Sequence, residues 1–193
     1  MTSEAGDPGR RVPWGLRSRA RRLYGSRRQR LLVVPRGALD RRFTSARVQS
    51  DDDNRWLRVQ LEGDAVLEVG FAGTFRMFGA LIDTQWTGRA GRVPDRAPRY
   101  DYRFDLHRFK EHSAGDSATA SLFSDETTRR LAGRSELKRL TVRGNAEGRL
   151  VELVPLAGTI TAVYFPPMPP YTVPLKDKEA EDHISLLLHL LGL

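Results

Sequence analysis

One short segment with strictly alternating polarity places the strongest limit on the fold of this chain. Between residues 99 and 106, two tyrosines, a phenylalanine and a leucine alternate with arginine and aspartate. That period of two is typical of a β-strand with one buried face. The same period recurs in residues 55–61 and 65–71, and the Glu62-Gly63-Asp64 sequence between them predicts a hairpin turn. An antiparallel sheet is therefore the expected framework.

Other segments extend this framework and add helices. We predict further strands at residues 31–34, 74–86, 137–142, 149–154 and 159–165. A short helix is predicted from Asp125 to Ala132, and a C-terminal helix from Asp177 to Leu191. The C-terminal helix has an apolar stripe at Ala180, Ile184, Leu187, Leu188 and Leu191. The predicted fold class is α+β: a mainly antiparallel sheet or partial barrel of seven or eight strands, with the C-terminal helix packed on it.

Positive charge is concentrated at the start of the chain. The first 50 residues contain thirteen arginines and three acidic residues, whereas the remaining residues contain 19 basic and 21 acidic residues. We therefore divide the chain into a basic arm, residues 1–30, which is partly disordered or helical, and a single α+β domain, residues 31–193. Gly25 and Ser26 are expected to interrupt the helical pattern of the arm, and Pro35 to end the first strand.

The arm is the clearest candidate for a binding site. Arginine forks bind phosphates and carboxylates well, so an anionic partner is expected. That partner is an anionic membrane surface, a nucleic acid or an acidic protein. The competing explanations are a solvated tail and codon bias in a GC-rich bacterial genome. The candidate anion-binding residues are Arg17, Arg19, Arg21, Arg22, Arg27, Arg28 and Arg30.

Several classes of site are excluded by residue content or motif. The chain has no cysteine, which excludes disulfide frameworks, thiolate metal sites and cysteine nucleophiles. It contains neither of the glycine-rich nucleotide-binding motifs, nor the metalloprotease and serine-hydrolase signatures. We predict no cofactor. No apolar run approaches the roughly 20 residues that span a bilayer, and no signal-peptide pattern follows the basic start.

A pocket between the sheet and the C-terminal helix is the alternative hypothesis. Aromatic residues in the predicted strands could line such a pocket and bind a small apolar ligand. A carboxylate within an apolar strand needs a partner, and two such groups on neighbouring strands could form an acid–base pair. The candidate pocket residues are Asp83, Glu68, His107, Trp86 and Tyr102.

The sequence therefore favours a cytoplasmic binding module without catalytic activity, located either free in the cytoplasm or peripherally at a membrane. The carrier or enzyme with an interior pocket remains the second possibility.

Overall fold

A computed structural model describes residues 14–50, 56–76, 79–94, 97–103, 108–111, 117–145, 147–163 and 168–193. These residues form four helices and ten strands. The helices are α1 Trp14–Arg42, α2 Ser117–Ser124, α3 Glu126–Arg134 and α4 Asp177–Leu191. The strands are β1 Val48–Ser50, β2 Leu57–Gln60, β3 Val66–Arg76, β4 Gly79–Gly91, β5 Arg99–Arg103, β6 Arg108–Glu111, β7 Leu137–Gly144, β8 Gly148–Pro155, β9 Thr159–Val163 and β10 Tyr171–Val173.

The predicted fold class is confirmed. All strand pairs of the described residues are antiparallel, the sheet is open, and α4 packs on one of its faces. The strand order is β1-β2-β3-β4-β8-β7-β5-β6, with β9 pairing with β4, and β10 pairing with β9. The count exceeds the predicted seven or eight because β1, β6 and β10 have only three or four residues each. Segments this short carry too few residues for a period of two to be recognised.

The sheet divides at the middle of β4. One edge of β4 pairs with β3 from Gly79 to Arg89, while the other edge pairs with β9 at Gly79–Asp83 and with β8 at Trp86–Gly91. Residues 156–158 intervene between β8 and β9. The Gly158 carbonyl accepts hydrogen bonds from the Thr84 amide and hydroxyl. Gly158 has a φ of 72°, which favours glycine. The sheet therefore splits into one branch with β8 and β7 and another with β9 and β10.

Helix α1 contradicts the strand predicted at residues 31–34, which was wrong. These residues continue the helix, and Pro35 lies inside it instead of ending a strand. A short apolar run fits both a buried strand and a buried helix, and the following residues decide between them. The buried positions are Leu31, Leu32, Pro35, Ala38 and Leu39, whose spacing of one, three, three and one is helical. Helix α1 is also continuous through Gly25 and through the division placed at residues 30 and 31.

Helix α4 sits directly on β4. A Cβ atom at Gly88 would lie 2.8 Å from Leu191 Cδ1 and 3.4 Å from Leu187 Cδ2, so the missing side chain allows the close approach. The buried side chains of α4 also include His183, Leu186 and Leu190, in addition to the predicted stripe. Leu188 of that stripe is only half-buried. The buried arc is wider than predicted because α4 contacts α1, α3 and the sheet together.

Helix α4 is expected to hold most of the core together. Leu187 is fully buried, so Leu187→Ala should lower the free energy of unfolding by about 2–5 kcal/mol through lost burial and a cavity. Leu188→Ala removes the same atoms from a half-buried position and should cost about half as much or less. Urea unfolding of both variants measures the difference. Equal losses would contradict the packing described for α4.

Candidate functional site

The most strongly charged element of the described structure is α1. It contains ten arginines and one acidic residue, Asp40. Arg17, Arg19, Arg21 and Arg22 lie in its helical backbone, and their side chains fall outside the described residues. At Gly25, a Cβ atom would meet nothing within 4 Å, so the helix surface is open there. Helix α1 covers the predicted arm from Trp14 onward, while residues 1–13 are outside the described residues.

Three of the candidate arginines have described side chains, and these differ in their surroundings. Arg27 donates hydrogen bonds to the Pro170 carbonyl and, at 3.3 Å, to Thr172 Oγ1. The Arg28 guanidinium lies 5.6 Å from the centre of the Phe71 ring, within the range of a cation–π contact. Arg30 is exposed. The body of the protein thus holds α1 from Arg27 onward, through two of the residues proposed to bind anions.

The candidate pocket residues do not line one cavity. Trp86 and Tyr102 are buried on the helix-covered face, whereas Asp83 and Glu68 lie on the open face of the sheet. His107 lies outside the described residues. Side chains on opposite faces cannot share a pocket, because successive residues of a strand alternate between faces.

Glu68 and Asp83 also fail to form an acid–base pair. Glu68 is opposite Thr87 in the β3–β4 register, and Asp83 is opposite Ala72, four positions further along. At about 3.3 Å per residue, that offset separates them by roughly 13 Å. Glu68 instead lies 3.5 Å from Arg58 Nε on the neighbouring strand, with both side chains well exposed.

The open face of the sheet is covered by polar side chains that pair across strands. One row in register crosses six strands. Within the row the Thr141 hydroxyl donates to Asp101 at 2.9 Å, and beside the row Gln85 Nε2 lies 3.5 Å from Glu152. The row consists of Arg58, Glu68, Thr87, Glu152, Thr141 and Asp101. Such cross-strand pairs stabilise a solvated face.

Asp83 has partners that the sequence did not identify. Lys138 Nζ lies 2.6 Å from Asp83 Oδ1 and 3.0 Å from Thr159 Oγ1, and the Thr159 hydroxyl lies 2.9 Å from the same Asp83 oxygen. The Asp83 and Lys138 side chains are 16% and 29% exposed, so solvent screens the pair only partly. We call these three residues the fork cluster, because they join β7, β4 and β9 where the sheet divides.

A local irregularity brings Lys138 into the fork cluster. The β7–β8 register shifts between Leu137 and Arg139, which is a β-bulge at Lys138. Just before it, Glu136 has a φ of 41°, an uncommon value for a residue with a side chain. Its carbonyl accepts a hydrogen bond from the Leu156 amide in the segment between β8 and β9. Lysine is rare in this chain, which has four lysines and 28 arginines. That rarity is the sequence feature that could have drawn attention to Lys138.

His183 of α4 is a core residue. It is 1% exposed, and its Nε2–H donates to the Ser135 carbonyl at 2.9 Å. The ring meets Trp86 edge to face, with centroids 5.5 Å apart. Among the described atoms, Nδ1 of His183 has no hydrogen-bond partner. Burial lowers the pKa of His183 below its usual 6.5, and the hydrogen bond to Ser135 offsets only part of that effect.

Two surface clefts lie beside α4, with volumes of about 250 and 340 Å³. One is lined by residues of α1 and α4, including Arg41, Glu181 and Ile184. The other is lined by Arg134 and by residues at the start of α4. Neither lies between α4 and the sheet, where Trp86 and the leucines of α4 fill the space. In the described part of the chain, the hypothesis of an interior pocket therefore gains no support.

Comparison of the chain with protein-family models, curated proteins and solved structures found no match. Of the helices that the structure describes, none has both the length and the apolar character needed to span a membrane. Within the same residues, no group of three His, Asp or Glu side chains is placed to hold a metal ion.

The fork cluster should contribute to stability. Lys138→Met leaves the largely buried Asp83 carboxylate without its cation and should lower the free energy of unfolding by about 1–3 kcal/mol. Arg58→Met is the matched control, since it breaks the exposed pair with Glu68 and should cost less than about 1 kcal/mol. Urea denaturation compares the two variants. A loss at Lys138 no larger than that at Arg58 would show that the fork cluster is unimportant for stability.

Burial of His183 predicts a specific dependence of stability on pH. Because its pKa is lower in the folded state, the unfolded chain binds more protons below pH 6.5. The free energy of unfolding should fall as the pH drops from 6.5 toward the folded pKa. His183→Gln retains an N–H donor without this titration, so the fall should be shallower in the variant. Chemical unfolding at a series of pH values tests this, and parallel curves for the two proteins would refute it.

Proposed function

We propose that this protein is a binding module without catalytic activity, and that α1 attaches it to an anionic, phosphate-bearing surface. The observation that supports this most directly is the charge of α1, ten arginines against a single aspartate in one continuous helix. Guanidinium groups donate paired hydrogen bonds to phosphate oxygens and stay charged at any physiological pH. A helix of this composition repels itself unless anions are near, and a polyanionic partner supplies them.

The second half of α1 anchors it to the body. Leu31 packs with Ile82, Ile160 and Ala162 in one cluster, and Leu32 and Leu39 belong to the main core. At the end of the helix, Arg41 lies 2.7 Å from Asp177 and 3.2 Å from Glu181 of α4. The hydrogen bond to Asp177 raises the pKa of Arg41 further above its usual value. Arg41 thus pairs with acidic side chains of the body. The first half of α1 remains as the proposed contact with the anionic surface.

The chemistry of the remaining polar groups favours binding over catalysis. In the fork cluster, the Thr159 hydroxyl is 3% exposed and is hydrogen-bonded to Asp83, so it is poorly placed to attack a substrate. The His183 ring is fully enclosed. A general base must reach its substrate within hydrogen-bond distance. We expect the protein in the cytoplasm, either free or on the surface that α1 binds.

Removing charge from α1 tests this function. The α1 variant changes to glutamine the residues Arg17, Arg19, Arg21 and Arg22. Its affinity for anionic vesicles or for duplex DNA should fall at least about tenfold, and the dependence on salt should weaken, because fewer ions are displaced on binding. Fluorescence anisotropy with labelled DNA and vesicle co-sedimentation, each over a salt series, measure both quantities.

A second variant with the same net charge provides the control. It changes to glutamine four arginines of the sheet, namely Arg58, Arg89, Arg139 and Arg143. This variant should keep most of the affinity if α1 is the binding site. Equal losses in both variants would mean that only net charge matters, and the absence of binding by the unmodified protein to either probe would refute the proposal.

A further inference from the structure

Exposed apolar side chains lie at the edge of the sheet around β10. Met168 is 58% exposed and Tyr171 is 68% exposed. Both are among the six large hydrophobic residues that are exposed in the described structure. Tyr171 lies in β10 opposite Thr161, and the Met168 amide donates to the Val163 carbonyl at the end of β9. We call Met168 and Tyr171 the apolar edge.

The sequence around the apolar edge is free of charge. No lysine, arginine, aspartate or glutamate occurs between Glu152 and Lys176, although 29% of the whole chain is charged. This stretch is not a membrane-spanning helix, because it contains the end of β8, the strands β9 and β10, and several prolines. The described residues of this stretch that are exposed after β9 are Met168, Pro169, Tyr171 and Pro174. An uncharged, exposed segment of this kind is a candidate site of interaction.

Arg27 joins the apolar edge to the basic helix. It donates hydrogen bonds to the Pro170 carbonyl and to Thr172 Oγ1, on either side of Tyr171. The first half of α1 therefore ends against β10, where the apolar edge lies. A bilayer with anionic headgroups offers both kinds of partner at one place, phosphates for arginine and a hydrocarbon boundary for apolar side chains.

We propose that the surface bound by this protein is an anionic lipid bilayer, and that the apolar edge inserts at its interface beside the arginines of α1. The inference rests on the proposed function and names its partner. A nucleic acid would satisfy the arginines but would leave Met168 in water. Tyrosine is common at the level of the headgroups, because its ring is apolar and its hydroxyl is polar. Two weak attachments, electrostatic and apolar, together give stable binding where one alone does not.

The absence of cysteine permits a direct test in the full chain. Met168→Cys introduces a unique thiol for an environment-sensitive fluorophore, and Leu193→Cys is the matched control, since Leu193 is also 58% exposed but lies at the C-terminus. Each labelled protein is mixed with vesicles of phosphatidylcholine, with or without phosphatidylglycerol. The fluorophore at residue 168 should shift to the blue with anionic vesicles alone, and the one at residue 193 should not shift. Binding without a shift at residue 168 would overturn the inference.

A second variant separates this inference from the proposed function. Replacing both Met168 and Tyr171 by serine should reduce partitioning onto anionic vesicles at least about tenfold, because the apolar contribution is lost. The arginines of α1 are intact in this variant, so its binding to duplex DNA measures the electrostatic part alone and should equal that of the unmodified protein. Binding of the unmodified protein to DNA but not to vesicles would refute the bilayer and leave the proposed function standing.

Discussion

The contact between α4 and the middle of β4 is the one on which the other parts of the structure depend. Trp86 projects from β4 onto His183, and Gly88 allows Leu187 and Leu191 to lie against the strand. The same helix contacts α1 and α3, so it connects the sheet to both. At its far end, Arg149 donates to the Leu190 carbonyl, which satisfies one of the unpaired groups at the end of the helix. Without α4, the covered face of the sheet would be exposed to water.

A small number of hydrogen bonds stabilise the polar side chains that are buried where α4 meets α3 and the sheet. His183 donates to the carbonyl of Ser135 at the end of α3, and His189 contacts Thr128 at 2.9 Å while the Thr128 hydroxyl bonds to the Leu122 carbonyl. These bonds fix α3 against α4. A histidine that must stay neutral in the folded state also makes the packing sensitive to acid. The interface between helices and sheet is therefore specific as well as apolar.

Sequence periodicity predicted the sheet and α4 because both expose one face to solvent. The paired segments β2 and β3 and the strand beginning at Arg99 were recognised for that reason. It failed at residues 31–34, where four apolar residues follow one another although only Leu31 and Leu32 are fully buried and Val33 is exposed, so the helical period is hidden. The bounds predicted for the strands at 65–71 and 74–86 were also wrong, since Ala72 and Gly73 pair with β4 inside β3, and β4 begins at Gly79.

The candidate site was harder to predict, because its geometry depends on contacts far apart in sequence. Asp83 was identified as unusual within an apolar strand, but its partner Lys138 is 55 residues away and is positioned by a bulge. Trp86 and Tyr102 were expected near a ligand, and they form part of the packed core instead. The register between strands determines which residues share a face. Local periodicity does not reveal the register between strands that are distant in sequence.

Continuity of α1 has a mechanical consequence. The helix runs without a break for 29 residues, roughly 43 Å, from Trp14 into the core. A bound anionic surface would therefore be connected to the body by a rod, not by a loose tether. The molecule would be held at a fixed tilt, and the open face of its sheet would always point in the same direction relative to that surface. Orientation of this kind determines which part of the protein remains accessible to anything arriving from solution.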